Sequence, residues 1–156
     1  MNTPAKANKR KWAHMLLAYV LSAVVGAFGL VNWIVLRELQ LALVVHSSIS
    51  RWSWQAIDNF SFLLFGMIWL SFVLFSQYYF AKATDTSRLW SRCLAIVGIQ
   101  VLLLFTCQCI PMVLAIKQYD FTGAVLIVVE GLLGAGLLFL AGHLRSKNRK
   151  NRREIT

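Results

Sequence analysis

Four long apolar stretches dominate the pattern of hydrophobic and polar residues along the chain. They cover residues 13–36, 60–80, 93–116 and 121–144, and charged or polar segments separate them. A helix rises about 1.5 Å per residue and the hydrocarbon core of a bilayer is about 30 Å thick, so about 20 apolar residues cross it. The pattern predicts an all-α integral membrane protein whose four transmembrane helices form one domain, residues 13–144.

The segments between these stretches differ in length and character. Residues 37–59 form the one sizeable loop, which is too short for a core of its own but carries Trp52, Trp54 and several aliphatic residues. Such a composition is typical of a segment that lies in the membrane interface, for example as a short amphipathic helix, with the tryptophans at headgroup depth. Residues 117–120 predict a tight turn, so that the third and fourth helices form an antiparallel hairpin. Pro111 predicts a kink near the end of the third helix, since proline donates no backbone hydrogen bond.

The distribution of basic residues predicts the orientation. Thirteen of the 16 Lys and Arg residues lie in the tail 1–12, the connector 81–92 and the tail 145–156, whereas 37–59 and 117–120 hold the other three. Because cytoplasmic segments carry an excess of Lys and Arg, both tails are predicted to be cytoplasmic. The membrane would be a plasma membrane or a bacterial inner membrane. The polar composition of 1–12 predicts a disordered tail.

One alternative for the first stretch is a cleaved signal peptide. The residues before it are basic, and residues 24–27 resemble a cleavage site. The apolar part of a signal peptide spans only about 7–15 residues, however, so a transmembrane helix is favoured.

Composition supports the membrane interpretation. Hydrophobic residues make up 58% of the chain and charged residues 14%, a balance that a soluble protein of this size cannot bury. The net charge of +10 would also suit a nucleic-acid binder, but no aromatic residues interleave with the C-terminal basic cluster. For that cluster we predict contact with anionic lipids on the cytoplasmic side; the alternative is that it only sets the orientation of the protein in the membrane. Its members are Arg145, Lys147, Arg149, Lys150, Arg152 and Arg153.

The fourth stretch carries a carboxylate, Glu130, near its middle, and no Lys or Arg accompanies it there. At about 100° per residue, the small residues of this stretch fall on the side that begins at Glu130, opposite the bulky aliphatic residues. Small residues let helices approach closely in lipid. We therefore predict a helix-packing face that meets a similar face of the first helix. The two faces comprise Gly123, Gly131, Gly134 and Ala135 on one side and Ala18, Ser22 and Gly26 on the other.

Glu130 is the sharpest functional candidate. Placing a charged carboxylate inside a membrane costs free energy, so such a group is either neutralised by a partner or retained for a function. Gln108 of the third stretch lies at a similar depth and is predicted to hydrogen-bond to it. Two interpretations stand: a proton or cation site, and a hydrogen bond that fixes helix packing, within the chain or to a partner subunit.

Redox or haem chemistry is a weaker alternative. His14 and His143 lie at the same predicted end of the first and fourth helices, where two imidazoles could ligate haem if those helices touch. Cys107 and Cys109 point to nearly opposite sides of a helix and would share a metal only if Pro111 unwound that turn. The chain has three cysteines without paired spacing, so no disulfide framework is predicted.

The functional prediction rests mainly on the motifs that the sequence lacks. The sequence holds no nucleotide-binding loop and no catalytic constellation, which predicts a non-enzymatic protein without cofactor or metal. The favoured function is an accessory or scaffold subunit of a membrane complex, with a membrane-protein partner or a second copy of the chain, and without nucleic acid. The alternatives are a small proton- or cation-coupled transporter or channel subunit that uses Glu130, and a membrane redox or haem protein.

Overall fold

The computed structural model describes residues 4–47, 49–83, 86–116 and 119–153, without the side chains of 4–11, 14 and 148–153. These residues form no strand. Each of the four helices contains a segment long and apolar enough to cross a membrane. The predicted all-α architecture with four membrane-spanning helices is therefore confirmed. The helices are α1 (Pro4–His46), α2 (Arg51–Ala81), α3 (Thr86–Val113) and α4 (Phe121–Arg153).

The helices pack in the order α2, α1, α3, α4. Helix α1 lies against both α2 and α3, while α4 packs along α3. Within the described residues, no Cα atom of α4 lies within 8 Å of a Cα atom of α1 or α2. The predicted contact between the small-residue faces of α1 and α4 is therefore wrong. The tightest part of the core lies where α1 meets the end of α2 and the start of α3, with Val25, Phe80 and Leu89 fully buried.

The small residues of α1 instead receive large side chains from α2. A Cβ atom added to Gly26 would lie 3.3 Å from Val73, and one added to Gly29 would lie 3.1 Å from Trp69. The indole Nε1 of Trp69 donates a 3.0 Å hydrogen bond to the carbonyl oxygen of Gly26. Ala18 and Ser22 are also buried. Complementary size, with small residues opposite large ones, explains this pairing better than small against small.

The predicted loop 37–59 is helical over most of its length. Helix α1 continues to His46 and α2 begins at Arg51, so only residues 47–50 connect them. Polar contacts join the two extensions: Gln40 Nε2 donates to Ser61 Oγ at 2.6 Å, and Arg37 forms an ion pair with Asp58. The two partners of each contact lie far apart in sequence, so local composition did not predict that they would pair.

The tails are also helical where the structure describes them. Helix α1 begins at Pro4, which corrects the prediction of a disordered tail, and α4 continues to Arg153. Proline is tolerated in the first turn of a helix because the backbone amides there have no partner within the helix. Lys and Arg are good helix formers, so the basic composition of both tails is compatible with helix.

Helix α3 ends two residues after Pro111 rather than at Ile116. Ala115 adopts a left-handed conformation with φ of 53°. The backbone amide of Ile116 donates to Pro111 O at 2.9 Å, and that of Ala115 donates to Met112 O at 3.1 Å. This is the Schellman pattern of a helix C-terminus, which satisfies carbonyl groups that would otherwise lack partners.

Candidate functional site

The candidate site is the contact between the middle of α4 and the later part of α3. Gln108 Nε2 donates a 2.8 Å hydrogen bond to Glu130 Oε2, as the similar depth of the two residues in sequence predicted. Both side chains are half-buried. The contact ties α3 to α4 inside the apolar part of both helices. It supplies one donor to a carboxylate that has room for several.

Gln108 also lines a cavity of about 250 Å³ between α1 and α3. Glu38 of α1 and Tyr119, which precedes α4, line the same cavity. The Tyr119 hydroxyl donates to the Gln108 carbonyl oxygen at 3.4 Å. Through Gln108, Glu130 is thus one side chain away from a cavity that carries a second carboxylate. Glu38 was not singled out from the sequence, because only the position of α1 beside α3 brings it here.

The small residues of α4 divide between two environments. A Cβ atom added to Gly134 would lie 2.9 Å from the Leu102 side chain, and one added to Gly131 would lie 3.0 Å from Phe105. Gly123 faces Tyr119. These residues pack towards α3 or the turn before α4, whereas Ala135 is exposed. The side of α4 that carries Gly131 and Gly134 is buried, but against α3 rather than α1.

Basic residues gather at the opposite end of the bundle, around Tyr79. The guanidinium of Arg92 donates to the Tyr79 carbonyl oxygen and lies 4.3 Å from the centre of the Tyr79 ring. Arg145 Nη2 donates to the Tyr79 hydroxyl at 3.3 Å. The Lys147 side chain is exposed. The side chains of Arg149, Lys150, Arg152 and Arg153 lie outside the described residues, so the anionic-lipid cluster stays a prediction.

The residues considered for redox chemistry do not come together as that alternative requires. Helix α3 is continuous through Cys107 and Cys109, so Pro111 does not unwind the turn that holds them. The premise for the histidine pair was contact between α1 and α4, which the described residues do not make. The side chain of His14 lies outside the described residues. No group of three or more His, Cys, Asp or Glu side chains suited to a metal occurs in the described part of the chain.

Sequence reasoning missed a second set of polar residues, which lies deep between α1, α2 and α3. Asn32 and Gln100 are buried, with 7% and 4% of their surface exposed. Gln100 Nε2 donates to the Val25 carbonyl oxygen at 3.1 Å and thereby joins α3 to α1. Two amide side chains inside apolar stretches were a signal in the sequence, because polar side chains in membrane helices face neighbouring helices.

Four spans connected by short segments define a multi-pass membrane protein. Neither protein-family models, nor curated proteins, nor solved structures gave a match to this chain. The functional argument therefore rests on the geometry of the chain itself.

Proposed function

We propose that this protein is an accessory or scaffold subunit of a membrane complex, and that a partner helix covers the Glu130 side of α4. The observation that carries the proposal is the half-buried state of Glu130 in the middle of α4, whose described backbone lies close to α3 but not to α1 or α2. A polar carboxylate that faces lipid is costly. Gln108 covers one edge of Glu130, and a neighbouring subunit would cover the other.

The surface beside Glu130 indicates where such a partner would lie. Residues four before and three after a helical position share its face, which places Leu126 and Leu133 next to Glu130. Their exposed fractions are 62% and 57%. Leu132 is exposed to a similar degree, 69%, but lies on the opposite side of α4. The two adjacent leucines Leu132 and Leu133 thus form a matched pair for an experiment.

A photoreactive phenylalanine placed at Leu133 in native membranes tests the proposal. We expect it to cross-link to one membrane-protein species. The amount of cross-linked product should match the amount of complex recovered in mild detergent. The same group at Leu132 should cross-link to lipid. Equal protein cross-linking at both positions, or none at either, would contradict the proposed covering of Glu130. A cross-linked product of twice the chain mass would identify the partner as a second copy.

A second candidate function, a small proton- or cation-coupled transporter subunit, is favoured by the cavity beside Gln108. Glu38 lines this cavity, and Gln108 connects it to Glu130. In reconstituted vesicles, pH-dependent flux that disappears in Glu130→Gln and is reduced in Glu38→Gln would support transport. Flux unchanged by Glu130→Gln would exclude a role for this carboxylate.

The proposed orientation, with both tails in the cytoplasm, is supported by the basic residues around Tyr79 and beyond α4. It can be tested with single cysteines at two exposed serines, Ser50 and Ser146. After replacement of the three native cysteines by serine, a membrane-impermeant maleimide should label Ser50→Cys in intact cells and Ser146→Cys only after lysis. The reverse pattern would invert the proposed topology.

A further inference from the structure

Helices α2, α3 and α4 meet at Tyr79, at the end of the bundle that carries both tails. Arg92 of α3 donates a hydrogen bond to the Tyr79 carbonyl oxygen, and its guanidinium carbon lies 4.3 Å from the centre of the Tyr79 ring. Arg145 of α4 donates to the Tyr79 hydroxyl oxygen at 3.3 Å. Two guanidinium groups from different helices therefore contact one tyrosine side chain.

A buried hydrogen bond holds α3 and α4 in register beside these arginines. Ser91 Oγ donates to the Ala141 carbonyl oxygen at 2.9 Å. Ser91 directly precedes Arg92, and Ala141 lies about one helical turn before Arg145. The backbone segments that carry both guanidinium groups are thus fixed relative to each other, which lowers the ordering cost of binding a ligand that contacts both.

Neither guanidinium group pairs with a carboxylate in the part of the chain that the structure describes. The ion pair found there, between Arg37 and Asp58, lies at the other end of the bundle. The Arg145 side chain is exposed and that of Arg92 is half-buried. A guanidinium group carries five N–H donors, so both arginines keep donors for a further ligand. The Tyr79 hydroxyl, which accepts from Arg145, also keeps its own hydrogen to donate. The arrangement therefore suits an anion with several acceptor oxygens.

The arginines lie where the apolar spans end, which is the depth of lipid head groups. Tyr79 is in the last turn of α2, and Arg92 is near the start of α3. One turn before Tyr79, the Phe75 ring stacks on it with a centroid separation of 6.0 Å, and Phe75 is 61% exposed. Aromatic residues at the end of a span mark the head-group level, and acyl chains extend from there along the apolar surface. Charged groups next to an apolar surface favour a phospholipid over a soluble anion, which would contact the charged groups alone.

We propose that Arg92, Arg145 and the Tyr79 hydroxyl bind the phosphate of one anionic phospholipid, whose acyl chains lie along Phe75 and the apolar surface of α2. The planar guanidinium fork matches the geometry of a phosphate group. This site differs from the lipid contact predicted for the basic tail, because it includes Arg92 of α3 and depends on Tyr79. The proposal is independent of the accessory role and of Glu130.

The test compares phosphatidylglycerol with phosphatidylcholine of the same acyl chains, since the choline ammonium group cancels the charge of the phosphate. Native mass spectrometry of the protein in mild detergent counts the bound lipids and gives a dissociation constant for each. We expect one phosphatidylglycerol per chain to bind about tenfold more tightly than phosphatidylcholine, as one additional charge-assisted hydrogen bond would give. Equal affinities, or the absence of saturable binding, would overturn the proposal.

The source of the phosphate is tested with glycerophosphoglycerol, which is the same head group without acyl chains. It should not displace phosphatidylglycerol at equal concentration, because it makes no contact with the apolar surface beside Tyr79. Displacement at equal concentration would show a site for a soluble anion and would overturn the assignment to a lipid.

Two adjacent tyrosines separate this site from general attraction to a basic surface. Tyr79→Phe removes the hydroxyl group that contacts Arg145 and changes no charge, so it should weaken phosphatidylglycerol binding about tenfold. Tyr78→Phe is the matched control, because the Tyr78 ring is contacted by Lys82 from the end of α2 itself, 4.3 Å from the ring centre. This control should bind the lipid as the unchanged protein does. Equal binding by the two variants would refute the site at Tyr79.

Two basic residues of α4 give a second matched pair. Arg145→Gln and Lys147→Gln each remove one charge from an exposed position. Residues two apart point to nearly opposite sides of a helix, so only Arg145 is directed at Tyr79. Arg145→Gln should lose the preference for phosphatidylglycerol and Lys147→Gln should keep it, whereas equal losses would show unspecific attraction and overturn the proposed site.

A charge-conserving change tests Arg92. Arg92→Lys keeps the positive charge but lacks the planar fork, so it should also weaken phosphatidylglycerol binding. Thermal unfolding of this variant checks that the bundle remains folded. Unchanged lipid binding by folded Arg92→Lys would contradict the proposed contact between the Arg92 guanidinium and the phosphate.

Discussion

The guanidinium of Arg37 holds both carboxylate oxygens of Asp58, with Nε–Oδ1 and Nη2–Oδ2 distances of 3.0 and 2.9 Å. This two-point contact joins the extensions of α1 and α2 beyond the predicted spans. The Arg37 guanidinium also lies 5.7 Å from the centre of the Phe62 ring. A fork of two parallel hydrogen bonds fixes the geometry as well as the charge balance. It thereby links the two helical segments that replace the predicted loop.

Loss of this contact should loosen the paired extensions. We expect Arg37→Met to lower the unfolding temperature in nanodiscs and to increase hydrogen exchange in residues 40–46 and 51–57, because Asp58 then lacks its partner. The double change Arg37→Met with Asp58→Asn should recover part of the loss. The neighbouring change Glu38→Gln, at an exposed position, serves as the control for exchange in this region. Additive effects of the two single changes would show that the residues are not coupled.

The α3–α4 contact depends on the absence of a side chain at Gly134. A Cβ atom there would lie 2.9 Å from the Leu102 side chain and 3.2 Å from the Leu102 backbone nitrogen, and backbone cannot move aside cheaply. We expect Gly134→Ala to destabilise the protein by about 1–3 kcal/mol through overpacking. Gly136→Ala is the matched control, since nothing lies within 4 Å of that position. Reversible unfolding in mixed micelles measures both. If the two variants were equally stable, the tight approach of α3 and α4 at Gly134 would be wrong.

Ala115 follows α3 in a left-handed backbone conformation, and here, unlike at Gly134, we expect the substitution to stabilise the protein. With φ of 53°, Ala115 adopts a conformation that costs an L-residue about 1 kcal/mol and costs glycine nothing comparable. We expect Ala115→Gly to stabilise the protein by roughly 0.5–1 kcal/mol, although glycine gains more freedom in the unfolded chain. The same substitution inside a helix, Ala135→Gly, should destabilise it by a similar amount. Thermal unfolding followed by circular dichroism distinguishes these outcomes, and destabilisation by both changes would contradict the helix-ending geometry at Ala115.

The hydrogen bond between Gln108 and Glu130 should respond differently to changes that keep or remove it. Glu130→Gln retains an oxygen that can accept from Gln108 Nε2, so a packing role predicts a change in stability below about 1 kcal/mol. Gln108→Leu removes the donor and leaves the Glu130 carboxylate without it, which should cost about 1–3 kcal/mol. Unfolding in nanodiscs, with Gln77→Leu as a half-buried control on α2, measures the difference. A large loss of stability in Glu130→Gln would contradict the packing interpretation.

The sequence determined the features that depend on local composition and periodicity. Four apolar stretches of sufficient length gave the four membrane-spanning helices, because backbone groups in lipid must be satisfied within each helix. The angular grouping of small residues placed Gly131 and Gly134 on the buried side of α4. The similar depth of Gln108 and Glu130 in the third and fourth stretches predicted the hydrogen bond between them.

Tertiary structure decided which faces meet and how far the helices extend. Small residues on α1 and α4 were equally compatible with one another in sequence, but side-chain shape pairs Gly26 with Val73 and Gly134 with Leu102. Arg37 pairs with Asp58 across two helices that extend into the segment predicted as an interfacial loop, and only the fold brings the two residues together. Asn32 and Gln100 came together at one cavity only because α1, α2 and α3 surround it. The physical reason is that packing in lipid depends on shape and on polar partners distant in the chain, whereas insertion depends on local hydrophobicity.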